Sequence, residues 1–270
     1  SSKPSRLVDI HHIGWHVDDE SGRLQSRPRG ERLLAHRMAP EWAGLPSECA
    51  VIRLERGRNN DAHGLEADNG AGVLLMATDA SFDLSGRMAT AGVVVPRQQR
   101  MLVPEVFHNR AWGASRWSVR DGAVEGVMEI PFEVSSSYVG EVVAIVMALW
   151  AVARDCSVRI WTDNVAARDT VNELCKAVDE MGQMRRDGVV RLLQPMDERV
   201  ALWSSRRVRR LLSRSCSPMA LGLLCDVLLV REEFHAKTEV LHVKAHVTDR
   251  VRTREEEWNE RADGIARGGL

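Results

Sequence analysis

Three apolar runs in the middle of the chain predict the strands of an antiparallel meander. The first run ends in Asp79, and prolines follow the second and third, where they end a strand because proline cannot donate a ladder hydrogen bond. Ser85-Gly86 is typical of a turn between the first two strands. The predicted strands cover residues 73–79, 89–95 and 124–130.

The second half of the chain alternates between helix and strand patterns. After Ser135-Ser136-Ser137, apolar residues recur at helical spacing from Val142 to Ala153, which predicts a long helix. The later elements imply parallel crossovers added to the meander. These later elements are predicted strands at 157–162 and 238–244 and predicted helices at about 165–177, 218–234 and 253–268. The expected fold class is α/β, with a five-stranded mixed sheet flanked by helices.

An N-terminal extension and two insertions lie outside this pattern. Residues 1–72 show no regular periodicity, and we expect an extension that packs on the main domain, residues 73–270, or trails from it. The segment between the second and third predicted strands is typical of an insertion. A second insertion, polar and rich in arginine, is expected at about 178–215.

Composition favours a soluble globular protein. The 270 residues are 44% hydrophobic and 28% charged, enough to bury one substantial core. No apolar stretch approaches the roughly 20 residues of a membrane span, so no membrane partner is expected. The five cysteines are odd in number and form no C-x-x-C pair. They are expected to be core residues in a reduced, intracellular compartment, nucleus or cytoplasm.

Charge alone does not indicate a nucleic-acid partner. The formal net charge is −1, although the cations are almost all arginine. Arginine suits bidentate contacts to phosphate, but a compositional bias of the source genome explains the same excess.

Four acidic residues stand where buried elements begin or end. Asp79 and Asp163 close apolar strands, Glu141 falls in the first turn of the first predicted helix, and Asp263 lies in the last helix. Each alone is typical of a turn former or a helix cap. Together they predict a site for divalent cations, because buried carboxylates are costly to desolvate unless positive charge lies between them.

The residues around these carboxylates, taken in their order along the chain, resemble the motifs of the ribonuclease H family. The resemblance covers about residues 73–268. Each motif alone is weak, whereas five in order on the expected elements are a strong signal. The motifs are Thr78-Asp79-Ala80-Ser81, Gly140-Glu141, Thr162-Asp163-Asn164, Val243-Lys244-Ala245-His246 and Asn259-Glu260-Arg261-Ala262-Asp263. The resemblance implies a ribonuclease H-like fold.

It also implies an endonuclease that hydrolyses the RNA strand of RNA–DNA hybrids. One metal ion would activate a water and the other would stabilise the leaving oxygen, with oxygen ligands suited to hard cations. His246 would assist proton transfer or product release. The two ions, Mg²⁺ or Mn²⁺, would be held about 4 Å apart by Asp79, Glu141, Asp163 and Asp263.

Substrate contacts follow from the same resemblance. Discrimination of RNA from DNA requires contacts to the 2′-hydroxyl, which Ala80, Ser81 and Glu141 would make. Asn259 would position substrate or a metal ligand from the helix face that it shares with Asp263, and Asn164 would be a further substrate contact.

An arginine-rich stretch resembles the basic helical protrusion with which some family members hold the hybrid. A solvated arginine face explains the same pattern, and both interpretations stay open. The residues that would contact the hybrid are Trp203, Arg206, Arg207 and Arg210.

Two positions depart from the pattern of many cellular ribonucleases H. Ala80 stands where glycine is common, and Asn164 stands where serine is common. Both variants resemble ribonuclease H domains of retroelements, including tyrosine-recombinase retrotransposons. The expected partner, besides the hybrid, is therefore a reverse transcriptase domain or subunit.

Two other functions compete with this hypothesis. One is a catalytically silent ribonuclease H-like module that binds nucleic acid or serves as a structural subunit of a ribonucleoprotein; loss of a carboxylate would mark it, and none is lost. The other keeps the metals but acts on another nucleic acid, as resolvases and transposases do. Separately, the spacing of His11, His12 and His16 favours a solvated surface stretch over a metal site.

Overall fold

A six-stranded mixed sheet flanked by four helices organises the described part of the chain. The computed structural model describes residues 15–17, 24–26, 52–55, 72–83, 85, 88–103, 115–130, 134, 136–186, 208, 210–211 and 218–268. In chain order the elements are β1 (Trp15–Val17), β2 (Leu24–Ser26), β3 (Arg53–Leu54), β4 (Leu74–Asp83), β5 (Met88–Val95), β6 (Met101–Leu102), β7 (Ser115–Arg120), β8 (Ala123–Glu129), α1 (Ser137–Trp150), β9 (Val158–Thr162), α2 (Val165–Arg186), α3 (Pro218–Glu233), β10 (Thr238–His242) and α4 (Arg254–Gly268).

The sheet combines the predicted meander with parallel crossovers. Its strand order is β10-β9-β4-β5-β8-β7, with β9 parallel to both of its neighbours and the other pairs antiparallel. This arrangement confirms the α/β class and the mixed sheet. It places the ends of β4 and β9 side by side, because parallel neighbours run in the same direction.

Different helices cover the two faces of the sheet. Helices α1, α2 and α3 share the main core with the strands, and α1 is buried from Val139 to Trp150 because its residues are apolar all round. On the opposite face, Ala262 and Ile265 of α4 pack against Val94 and Val127. None of the described helices is long and apolar enough to span a membrane.

The prediction of five strands is wrong, because β7 adds a sixth at the sheet edge. It lies in the segment predicted as an insertion and forms a hairpin with β8. Asp121 and Gly122 both have positive φ (53° and 76°), as a two-residue hairpin turn requires, and an Asp-Gly pair is a hairpin signal. The indole ring of Trp117 covers Gly126, leaving no room for a Cβ.

The first predicted strand also ends later than expected. Strand β4 continues past Asp79 to Asp83, because β5 pairs with it as far as Asp83. The parallel partner β9 pairs only with residues 74–77. Asp79 therefore lies within a strand, just beyond the stretch that β9 pairs with.

Two helix boundaries differ from the predictions. Helix α1 begins at Ser137, so Glu141 lies in its second turn and not in the first, and the helix dipole does not explain its position. Helix α2 extends to Arg186, so the start of the predicted insertion at 178–215 is helical. A capping box starts α4: the Thr253 N–H donates to Glu256 Oε2, and the Glu256 N–H donates to Thr253 Oγ1.

Part of the N-terminal extension belongs to the core of the main domain. Ile52 is fully buried, and its backbone bonds to Ala151 and Ala153 after α1. Strand β3 pairs with β6. Strands β1 and β2 form a hairpin in which His16 lies on β1, whereas His11 and His12 fall outside the described residues.

Candidate metal centre

Three of the four predicted carboxylates meet at one end of the sheet. Asp79 comes from β4, Glu141 from α1, and Asp163 directly follows β9. One carboxylate oxygen of each lies within 4.8 Å of the others. We call this group the acidic trio. Asp79 and Asp163 are neighbours because their strands are parallel, and Glu141 reaches them because α1 packs on β4.

Burial gives the acidic trio unusual electrostatics. Asp79 and Glu141 are buried and Asp163 is half-buried. Burial raises the pKa of Asp79 to about 7, and the charges of Asp163 and Asp263 add to the effect. Burial and the charges of Asp79 and Asp163 likewise raise the pKa of Glu141 far above its usual range, and burial raises the pKa of Asp163.

Main-chain and hydroxyl donors hold the acidic trio in place. The Ala80 N–H donates to Asp79 Oδ1 (2.6 Å) and to Glu141 Oε1 (3.3 Å), and the Thr162 hydroxyl donates to Glu141 Oε2 (3.5 Å). Among the described residues, no arginine or lysine forms an ion pair with any of the three. Three carboxylates with oxygens within 4.8 Å of one another, two of them buried, fit the ligand preference of a hard divalent cation.

The fourth predicted carboxylate, Asp263, lies beside the acidic trio but not within it. Its charge raises the pKa of both Asp79 and Asp163. Its carboxylate does not join the group of oxygens within 4.8 Å. Instead, Asp263 Oδ1 forms an ion pair with Arg267 Nε at 2.8 Å.

Close packing sets the position of helix α4, and hence of Asp263. The Asn259 side chain is buried and its Nδ2 donates to the Thr78 carbonyl at 3.1 Å, next to Asp79. A Cβ on Gly92 would collide with the backbone of Ala262, so the glycine allows α4 to approach β5 directly. Asn259 therefore fixes α4 to β4, and a contact with substrate stays a prediction.

Two histidines flank Asp163. His246 is exposed, has a positive φ of 47°, and places Nδ1 3.7 Å from Glu260 Oε2. His246 and His242 both act to lower the pKa of Asp163, against the effect of burial. His246 was predicted, whereas His242 was not. The parallel register, which pairs His242 with Thr162, is the signal that places it next to Asp163.

A cleft of about 570 Å³ is lined by Asp263 and by Ala80, which follows Asp79 in β4. Ala80 and Ser81, predicted as substrate contacts, lie in its wall. Sequence reasoning missed the residues contributed by the start of α1 and by the end of α4, although Arg267 follows Asp263 at i+4 and so shares its helix face. The lining residues are Ala80, Ser81, Phe82, Ser136, Ser137, Asp263 and Arg267.

Asn164 and Arg210 are the remaining predicted substrate contacts that the structure describes. Asn164 Oδ1 accepts a hydrogen bond from the Ala167 N–H at 2.9 Å and so caps α2. Arg210 is exposed. Trp203, Arg206 and Arg207 fall outside the described residues, so contact between this stretch and nucleic acid stays a prediction.

Comparison with known proteins identifies no family for this chain. No protein-family model matches it, and no curated protein is significantly similar to it. The geometry of the site itself supports one chemical statement: the buried acidic trio could hold a metal ion.

Proposed function

We propose that the chain is a metal-dependent endonuclease with a ribonuclease H-like fold, which hydrolyses the RNA strand of RNA–DNA hybrids. The observation that carries the proposal is the acidic trio, because three carboxylates far apart in sequence converge at one end of a mixed sheet. The five motifs that resemble the family lie on or directly after β4, α1, β9, β10 and α4, in the expected order. A mixed sheet flanked by helices is compatible with this fold, with β7 as an additional edge strand.

The acidic trio and Asp263 are the ligands of choice for the two proposed ions, Mg²⁺ or Mn²⁺. When bound, such a pair supplies an activated water and stabilises charge on the leaving oxygen. The chain holds the ligands in place: the Ala80 N–H orients Asp79 and Glu141, and Asn259 fixes the helix that carries Asp263. Such preorganisation reduces the rearrangement needed at the moment of reaction.

The cleft is the proposed path for the RNA strand. Ser81, Ser136 and Ser137 line it together with Asp263, and hydroxyl and main-chain groups can recognise a 2′-hydroxyl. Arg267 is the cation in its wall and suits a phosphate oxygen. His246, exposed and close enough to affect Asp163, is the proposed group for proton transfer or product release.

The retroelement context is a further part of the proposal. It rests on the Asp79-Ala80 and Asp163-Asn164 pairs and implies a reverse transcriptase as partner. The competing function is a silent module that binds hybrid without cutting it. The acidic trio favours the nuclease, because a module that needs no metal has no evident reason to bring three carboxylates together with no arginine or lysine paired to them among the described residues.

Cleavage of an end-labelled RNA–DNA hybrid tests the proposal, with double-stranded and single-stranded RNA as parallel substrates and with or without Mg²⁺. We expect Mg²⁺-dependent cutting of the hybrid alone. Asp163→Asn should lower the rate at least about 100-fold, because a lost metal ligand removes several kcal/mol of charge stabilisation.

The matched control is Asp169→Asn, which removes an exposed carboxylate from the first turns of α2 and leaves the acidic trio intact. It should cut at the wild-type rate. Tight binding of the hybrid by the wild type without cutting, at any Mg²⁺ or Mn²⁺ concentration, would contradict the nuclease and support the silent module.

A further inference from the structure

The ion pair between Arg267 and Asp263 links the candidate metal centre to the cleft. The two residues are one turn apart on α4, with Arg267 Nε 2.8 Å from Asp263 Oδ1. Their side chains differ in exposure, at 11% for Asp263 and 61% for Arg267. The carboxylate is therefore confined by its surroundings, whereas the guanidinium has space to move into the cleft that both residues line.

Asp263 is close enough to the acidic trio to interact with it electrostatically. Its charge raises the pKa of Asp79 and of Asp163, yet its own carboxylate is not among the oxygens within 4.8 Å. One of its oxygens is engaged by Arg267. A cation bound at the acidic trio and the guanidinium of Arg267 are thus alternative positive partners for the same carboxylate.

We propose that Arg267 is a positioning residue that pairs with Asp263 and thereby competes with the binding of a divalent cation by Asp263 and the acidic trio. This inference rests on the proposed function, since it takes Asp263 as a ligand of a divalent cation. Arg267 leaves Asp263 when the cation binds and turns into the cleft toward Ser81 and Ser136.

A purely structural role for the same pair makes a different prediction. An acidic residue four positions before a basic one stabilises a helix, and a cation in the last turn interacts favourably with the helix dipole. That role affects the stability of α4 but does not change the affinity for a metal ion. Metal affinity measured without nucleic acid therefore separates the two roles.

The test is calorimetric titration of MnCl₂ into the full chain in the absence of nucleic acid. Arg267→Ala should tighten Mn²⁺ binding by about two- to fivefold, the range expected for loss of a partly exposed ion pair. Arg267→Lys, which keeps the cation, should retain the wild-type affinity. Arg254→Ala, which removes a positive charge from the opposite end of α4, controls for the change in net charge and should have a smaller effect.

The same substitution in an Asp263→Asn background completes a double-mutant cycle. Arg267→Ala should give no gain there, because the carboxylate for which it competes is absent. Unchanged or weaker Mn²⁺ binding in Arg267→Ala, or an equal gain in both backgrounds, would overturn the role of Arg267. If the wild type binds no Mn²⁺, the proposed function fails together with this inference. If the wild type binds Mn²⁺ and cuts the hybrid but Arg267→Ala behaves like wild type, this inference alone fails.

Discussion

Two of the buried carboxylate sites in the described part of the chain, Glu125 on β8 and the pair Asp79 and Glu141, differ in the charges that surround them. Glu125 on β8 is 3% exposed and is paired with Arg261 of α4 and with Arg120 at 3.8 Å. Asp79 and Glu141 are buried to a similar degree but have each other and Asp163 as neighbours, with no arginine or lysine paired to them in the described part of the chain. Helix α4 contacts both β8, which carries Glu125, and β4, which carries Asp79.

The comparison shows how a structural buried carboxylate differs from a candidate ligand. Burying a charge is costly, and an arginine supplied by the protein offsets that cost permanently. The acidic trio lacks such an offset, so its pKa values rise, whereas ion pairing with Arg250 lowers the pKa of Glu256. An arrangement that is unfavourable until a cation binds is characteristic of a functional site.

Breaking the permanent ion pair should have the largest effect on stability. Arg261→Ala leaves Glu125 buried with only Arg120 at 3.8 Å, and we expect a loss of about 2–3 kcal/mol in the free energy of unfolding. Urea denaturation measures the change. Arg254→Ala, on an exposed part of the same helix, should change stability by less than about 0.5 kcal/mol. A loss in Arg261→Ala no larger than in this control would show that Glu125 does not depend on the pair.

Removing a carboxylate from the acidic trio should stabilise the metal-free protein, whereas Arg261→Ala should destabilise it. Asp79→Asn should raise the free energy of unfolding by about 1–2 kcal/mol near pH 8, because it removes a charge that folding desolvates. The folded-state pKa of Asp79 is raised to about 7. The Asp79 carboxyl therefore contributes fully to stability at pH values below its pKa in the unfolded chain. This contribution is lost as the pH rises toward 7 and above.

The difference between Asp79→Asn and the wild type should accordingly shrink as the pH is lowered from 8 to about 4, the ordinary pKa of aspartate. Urea denaturation in EDTA across this range measures it. A variant that is less stable than the wild type at pH 8 would indicate that Asp79 stabilises the metal-free fold and would contradict the comparison.

Bound Mg²⁺ should supply the acidic trio with the positive charge that Arg261 supplies to Glu125. Mg²⁺ at tenfold its dissociation constant should stabilise the wild type by about 1.4 kcal/mol, because it binds the folded state alone. Thermal denaturation with and without MgCl₂ at constant ionic strength measures the shift. Asp79→Asn should show little of it, whereas Arg261→Ala should show all of it. Equal stabilisation of wild type and Asp79→Asn would mean that Mg²⁺ acts elsewhere.

Sequence reasoning located the acidic trio because each member stands at a change of pattern. Asp79 and Asp163 interrupt apolar runs, and Glu141 follows the start of an apolar helix. Sequence reasoning missed β7 although two signals were present: Asp121-Gly122 marks its hairpin, and polar and apolar residues alternate from Arg116 to Arg120. Arg267 was missed although its i+4 spacing puts it on the helix face of Asp263. His242 was missed because only the parallel register, which pairs it with Thr162, brings it next to Asp163.

What the sequence by itself determined is the set of elements and the positions of acidic residues on them. Periodicity and turn residues decide this level, because they reflect local backbone preferences and the burial of one face. The tertiary structure alone decided which charges acquire a partner. Glu125 and Glu141 are both acidic residues in apolar surroundings, and they differ only because α4 brings Arg261 to one and β4 and β9 bring two further carboxylates to the other. Contacts between distant segments depend on packing, and so does the distinction between a structural ion pair and a candidate metal site.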